Sequence, residues 1–259
     1  VYPVFDPSVQ LLALSEELRE KVFPKNVIKI GSFAVNDSVI SGFIVVFALL
    51  VVALILRLTI IRKWKTTPTG GQMFLEWLVS FFDKSADEMT EEDSGLMGPY
   101  TLGAAAYICC GVLIELFGLR PAMADLGACI ALALCTFLFI HTLGFVKNKA
   151  RRLKHYINPI NIVTDLAVPV SMTFRLFGSI LSGMVIMDMV YILVEGIWYI
   201  GLPLILPAIL TPLFTLFHAF IQSYVFASLT LTFVQEAIEV PPKKEKKKKR
   251  SKAVQADAA

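Results

Sequence analysis

One arginine sits deep in a predominantly apolar stretch. Arg175 belongs to Pro169-Val-Ser-Met-Thr-Phe-Arg-Leu-Phe-Gly-Ser179, within a segment that is apolar from about Ile162 to Val194. At 100° per residue, Ser171, Arg175, Ser179 and Ser182 share one helical stripe, with Gly178 beside it. A charge at the centre of a bilayer costs about 2.5–3.5 kcal/mol on insertion scales. Small neighbours leave room for a close or a moving partner. Arg175 therefore reads as a structural ion-pair member or as part of an ion pathway. The pathway reading leads, because intramembrane ionisable groups are functional by default.

The other polar groups in apolar stretches carry two readings each. His218, Gln222 and Phe226 share a face at i, i+4 spacing. Gln222 is placed to hydrogen-bond Arg175 across an antiparallel helix pair, or to act as helix–helix glue. His218 is a proton relay or a hydrogen-bonded packing residue. Asp188 and Glu195 lie one heptad apart and line a wet entrance, or reach the membrane interface. Asp165 serves an inner aqueous exit or caps a helix start. Glu115 and Asp125 flank the outer end of the second span, where Asp125 alternatively caps the third helix. His141, near the inner end of the third span, is read as interfacial.

No Gly-rich phosphate loop, no HExxH and no clustered metal ligands occur. The expectation is no cofactor, no metal and no catalysis by the chain on its own. Cys109, Cys110, Cys129 and Cys135 lack metal-ligand spacing with histidine and read as small packing residues.

The elements that position these groups are membrane helices. The chain has 259 residues, 56% hydrophobic and 17% charged, with mean hydropathy +0.68. That is outside the range of soluble domains. Several runs reach the roughly 20 residues that span a bilayer, and they are continuous rather than alternating, which excludes a membrane β-barrel. The expected fold is all-α and polytopic. It has about five transmembrane helices, a long slanted hairpin of the fourth and fifth, and amphipathic surface helices.

Taken in order, residues 1–37 form an outer N-terminal segment. It lacks the pattern of a secretory signal and carries an amphipathic helix at Leu11, Leu14, Leu18 and Val22. Asp37 and Ser38 suit the start of a first span, Val39–Ile61. A surface helix covers 72–89, with Phe74, Leu78, Phe81 and Phe82 on one face and Glu76, Asp83 and Asp87 on the other. The second and third spans are about Gly98–Leu119 and Gly127–Val146. The fourth apolar segment runs from about Asn161 to Glu195, a helix of roughly 50 Å against a hydrocarbon core of about 30 Å. Gly196, Gly201, Pro203 and Pro207 are assigned to a turn, and a last long helix covers about Ala208–Ile238. The membrane domain is thus 38–240, and 241–259 is a disordered Lys-rich tail.

Basic residues set the orientation. Arg62, Lys63 and Lys65 form one cluster, Lys147, Lys149, Arg151, Arg152 and Lys154 a second, and the tail a third. Five spans with the N-terminus outside and the C-terminus cytoplasmic satisfy all three.

Four ordered stretches resemble subunit a of the F-type ATP synthases, the static half of their membrane ion channel. Pro169–Ser179 resembles that family's PVSLxLRLFGN signature. Arg120-Pro-Ala-Met-Ala-Asp-Leu126 with Ala131-Leu-Ala-Leu134 resembles PTADLN…LALAL. Pro159-Ile-Asn-Ile-Val-Thr-Asp165 resembles the P-x-N-x-x-x-(Glu) start of the long helix, and Ile221-Gln-Ser-Tyr-Val-Phe-Ala-Ser-Leu-Thr230 resembles IQAFIFxxLT. The resemblance covers nearly everything from Asn36 onward.

It implies a multi-pass protein of the bacterial plasma membrane that couples proton flow to ATP synthesis. The implied partners are a ring of small membrane proteolipid subunits, peripheral-stalk subunits, the remaining synthase subunits and membrane lipid, with no nucleic acid. Two half-channels end near Arg175, which faces the ring carboxylate and blocks a direct leak; a guanidinium suits this because it stays charged. Gln222 sits beside it, and Asp165 belongs to the inner half-channel. The chain departs from the pattern at Ser179 and Gly127, where the family usually has Asn. It also departs at Met184, where an acidic residue or histidine is common, and at Thr215, where its partner is common. The outer half-channel is then expected to be lined by Asp188, His218 and Glu195, with Glu115 and Asp125 near its mouth.

Two other readings compete: a secondary transporter of a small anion with Arg175 as counter-ion, and a structural scaffold. A transporter of that kind calls for broken helices or inverted repeats, and the Gly/Pro breaks here fall at a turn. A scaffold has no need to place an arginine in an apolar helix. The choice between proton and sodium stays open at this level.

Overall fold

A computed structural model describes residues 26–30, 33–59, 61–63, 70–90, 95–147, 159–195 and 202–238. The amphipathic helix expected at 11–22, the second basic cluster beyond Lys147, Gly196 and Gly201, and the Lys-rich tail lie outside the described residues.

The membrane character is carried by five helices long and apolar enough to cross a bilayer, which makes this a multi-pass membrane protein. Helix α1 covers Asp37–Thr59. The side chain of Asp37 accepts the amide of Ser38 at 3.0 Å, which satisfies one of the donors a helix start leaves open. The α1 sequence is apolar all round, and only Ser38, Ser41 and Val45 are buried. Such a helix needs lipid or a partner on its remaining faces. It follows a short antiparallel hairpin, β1 (Asn26–Ile30) and β2 (Phe33–Asn36), which the sequence reading did not anticipate.

Helix α2, Gly71–Thr90, is the surface helix, but its faces differ from the expectation. Phe74, Trp77 and Phe81 form an exposed aromatic row, with ring centroids 6.1 and 6.0 Å apart. Asp83, expected on the polar face, instead lies directly against Gly98 of the next helix. That helix, α3, covers Met97–Leu113 and tightens into a 3-10 turn at Ile114–Phe117. It stops at Gly118, whose φ of 75° is the left-handed conformation that ends helices.

Helices α4 (Leu126–Lys147), α5 (Pro159–Glu195) and α6 (Leu202–Ile238) complete the fold. Helices α5 and α6 have 37 residues each, roughly 55 Å at 1.5 Å per residue. Both exceed the hydrocarbon thickness and must tilt. Because α6 begins at Leu202, Pro203 and Pro207 fall within it rather than in a turn. Pro203 stands in the first turn, where a missing N–H would have no intrahelical partner, whereas at Pro207 the helix continues without the bond to the Pro203 carbonyl.

Helix α6 organises the bundle, packing against α2, α3, α4 and α5. Two cores lie along it. One joins Ile108 and Val112 of α3, Met123, Cys129 and Ala133, Met172, Leu176 and Ile180 of α5, and Ala219 and Phe226 of α6. The other joins Ala86 of α2, Met97, Ile140 of α4, and Leu231, Val234 and Ala237 of α6.

Candidate functional site

The site is laid out by the periodicity of α5. Leu176 faces the core and is 0% exposed. Arg175 is one residue, about 100°, away, and that rotation carries it onto the exposed face. Thr164, Ser171, Gly178, Ser182, Ile186 and Met189 are exposed on the same stripe. The serines spend their protons on their own helix: Ser182 donates to the Ser179 carbonyl and Ser179 to that of Leu176, each at 2.9 Å. Their side chains are thereby held close to the backbone, and the stripe stays shallow around the guanidinium. Helix α6 adds Leu213, Phe217, Phe220 and Tyr224, all exposed.

Arg175 has no ion pair or hydrogen bond to another described residue. Its expected bond to Gln222 is not formed. Gln222 is 5% exposed, and its Nε2 is buried without a partner. Exposure separates the two: the guanidinium stands on the open face, while the amide is held within the bundle.

One pocket lies on each side of Arg175 along α5. The first, about 10 Å³, is lined by Glu115 of the α3 terminus, Gly183 and Met184 of α5, and Thr215 and His218 of α6, among apolar neighbours. It brings Glu115 and His218 together with Met184 and Thr215, the two positions where the sequence departs from the resembled pattern. The close approach of α5 and α6 here depends on Gly183: a Cβ there would meet the Phe214 ring at 3.2 Å. Phe214 stacks on His218 at 6.2 Å and 16°, and His218 Nε2 is buried with no hydrogen-bond partner.

The second pocket, about 30 Å³, is lined by His141 of α4, Asp165 and Val168 of α5, and Glu236 of α6, with Phe137, Ile140, Phe233 and Ala237. His141 Nε2 lies 3.4 Å from Asp165 Oδ2, with the two side chains 15% and 20% exposed. His141 is therefore paired with Asp165, and Asp165 is not a helix cap: it lies beyond the first turn of a helix that starts at Pro159. Pro169, four residues on, has no N–H to offer the Asp165 carbonyl, and its own carbonyl accepts Thr173 Oγ1 at 2.8 Å.

Asp125 is otherwise occupied. Its Oδ1 accepts the amide of Gly127 at 3.0 Å, and its Oδ2 accepts Asn36 Nδ2 at 3.1 Å. It caps α4 and ties the chain before α1 to that cap, and it does not line the first pocket. The side chains of Asp188 and Glu195 lie outside the described residues, although both belong to α5.

His141 and Glu236 were not among the candidates from sequence. A signal was present for His141. It precedes the end of α4 by six residues, as Asp165 follows the start of α5 by six. Consecutive antiparallel helices place such positions at equal depth. Nothing comparable singles out Glu236.

Residues 41–235 match the sequence profile of the family described as ATP synthase A chain. The chain is 27% identical over 216 residues to ATP synthase subunit a of Trichlorobacter lovleyi, covering 79% of this chain and 90% of that one. It is 28% identical over 208 residues to ATP synthase subunit a of Desulfosudis oleivorans, covering 75% and 87%. Against ATP synthase subunit a of Geobacter sulfurreducens it is 27% identical over 214 residues, covering 78% and 88%.

Proposed function

The chain belongs to the ATP synthase A chain family, and from that premise we propose that it is the stationary proton-conducting subunit of an F-type ATP synthase. It works together with other subunits of that complex. The observation that carries the reading is the position of Arg175, an exposed guanidinium on a membrane helix with one polar pocket on either side along that helix.

The distances along α5 fit two offset half-channels. Asp165 lies ten residues before Arg175 and Met184 nine residues after it, roughly 15 and 14 Å of helix. Arg175 lies between the two pockets in sequence along α5. In the orientation set by the basic clusters, the pocket of Glu115 and His218 opens from the outside and the pocket of Asp165 toward the cytoplasm. A proton enters by the first, neutralises a carboxylate on a rotating ring of small proteolipids, and travels round in lipid. Back at the interface the carboxylic acid deprotonates toward the second pocket, and Arg175 attracts the resulting anion. The guanidinium keeps its charge throughout, so it repels a proton that would cross straight from one pocket to the other. The face of α5 and α6 that carries Arg175, with small residues on α5 and exposed Leu213, Phe217, Phe220 and Tyr224 on α6, is the surface the ring sweeps. The chain itself performs no nucleotide chemistry in this scheme.

The deciding experiment is ATP-driven acidification of vesicles carrying the assembled complex, wild type against Arg175→Ala. The expected result is loss of pumping in a complex that still co-purifies with its proteolipid ring. Pumping at the wild-type rate would overturn the assignment.

A further inference from the structure

The family reading brings Asp165 to an exit path but gives no role to the ring beside it. We propose that His141 is a proton-carrying residue of that exit, taking one proton from Asp165 at Nε2 and releasing it to water from the same atom. The inference rests on the proposed channel and adds a residue to it.

The hydrogen bonds fix what the imidazole can do. His141 Nδ1 lies 3.0 Å from the Phe137 carbonyl. A carbonyl only accepts, so Nδ1 carries a hydrogen and its role is constant. The Phe137 ring also packs on the imidazole, with centroids 3.9 Å apart, which restricts rotation. Only Nε2 is left to change state, and it faces Asp165 Oδ2.

Two arrangements of the pair then differ by the place of one proton. In one, Asp165 is a carboxylic acid beside a neutral ring. In the other, the O–H bond has broken, an Nε2–H bond has formed, and a carboxylate faces an imidazolium. Release completes the step: Nε2–H gives its proton to water, the ring returns to neutral, and the carboxylate is ready for the next proton from the ring interface. One proton enters and one leaves, with no other reactant.

The pocket supplies the water. At about 30 Å³ it has room for one molecule, which needs polar partners around it. His141 from α4, Asp165 from α5 and Glu236 from α6 provide them, so ionisable side chains of three helices converge on one cavity. Imidazole is the side chain that both takes and releases a proton readily near neutral pH.

A purely structural ion pair would have the same geometry, so the test must separate carrying from bracing. His141→Ala and His141→Gln are assembled into the full complex in vesicles whose cytoplasmic face is outward, and the rate at which ATP builds a membrane potential is followed, because free imidazole is a permeant weak base that would neutralise an acid lumen. Both variants are expected to pump about tenfold more slowly or worse, a modest share of what a positioned proton-transfer group supplies. Free imidazole added outside restores a measurable part of the rate to His141→Ala, whose cavity is vacant. It does nothing for His141→Gln, where the cavity is filled by a side chain that bonds but does not titrate. Wild-type rates in both variants would overturn the proposal, and so would a loss in His141→Ala that imidazole leaves unchanged. If Arg175→Ala abolishes pumping while both His141 variants pump normally, the relay alone falls. If Arg175→Ala also pumps normally, the channel reading falls and the relay with it.

Discussion

The two pockets beside Arg175 use similar side chains under different constraints. Each holds one histidine and at least one carboxylate. In the pocket of Asp165, the histidine is oriented by a carbonyl, faced by a carboxylate, and set in a cavity that admits a water. In the pocket of His218, the Nε2 is buried without a hydrogen-bond partner, and the space of about 10 Å³ is close to the lower limit for one water. A buried polar atom without a partner is costly. One pocket therefore holds its histidine by two contacts, and the other leaves its histidine nitrogen without one among the described residues. The difference teaches that a pair of titratable residues is made into a proton site by the third group that orients it.

The comparison can be broken most forcefully at Asp165. Asp165→Asn removes the carboxylate that lies 3.4 Å from His141 Nε2, and ATP-driven acidification should fall by at least about tenfold in an assembled complex. A smaller loss follows from His218→Phe, which keeps the stack on Phe214 and removes both ring nitrogens. Pumping should drop several-fold, roughly up to tenfold, because Glu115 and incoming water still line that side. If His218→Phe proves more damaging than Asp165→Asn, the ranking of the two pockets is reversed. Mutations outside the pockets sharpen the contrast by acting on stability instead. Gly98→Ala forces Asp83 out of its place against α3 and should cost about 1–3 kcal/mol, read as lowered thermal stability of the purified complex. Asn36→Ala removes one hydrogen bond to the α4 cap and should cost about 0.5–1.5 kcal/mol, with pumping per assembled complex unchanged.

The sequence reading and the structure agree most closely where apolar length decides. The start and end of α4, the residues that share a stripe with Arg175 and the overlong α5 and α6 all follow from hydropathy and a period of 3.6. They part where a side chain's occupation depends on a residue far along the chain. Asp125 was open to a cap or a channel mouth, and Asn36, 89 positions away, helps to hold it as a cap. Asp83 belongs to the polar side of a helical wheel, yet packs against Gly98 because glycine leaves room for it. The prolines before Ala208 suggested a turn, but the helix starts earlier, at Leu202: Pro203 falls in its first turn, where no N–H is needed, and the helix runs on through Pro207.

By itself the sequence determined that this is a multi-pass helical membrane protein with a charged residue held in an apolar helix, because spanning a bilayer demands apolar length and internally satisfied backbone. Only the tertiary structure decided that Arg175 faces outward while Gln222 is enclosed, and that His141 meets Asp165. Those outcomes depend on which faces of α4, α5 and α6 turn toward one another, and helix rotation in a bundle is set by packing of small and large residues across three partners at once. No single segment contains that information.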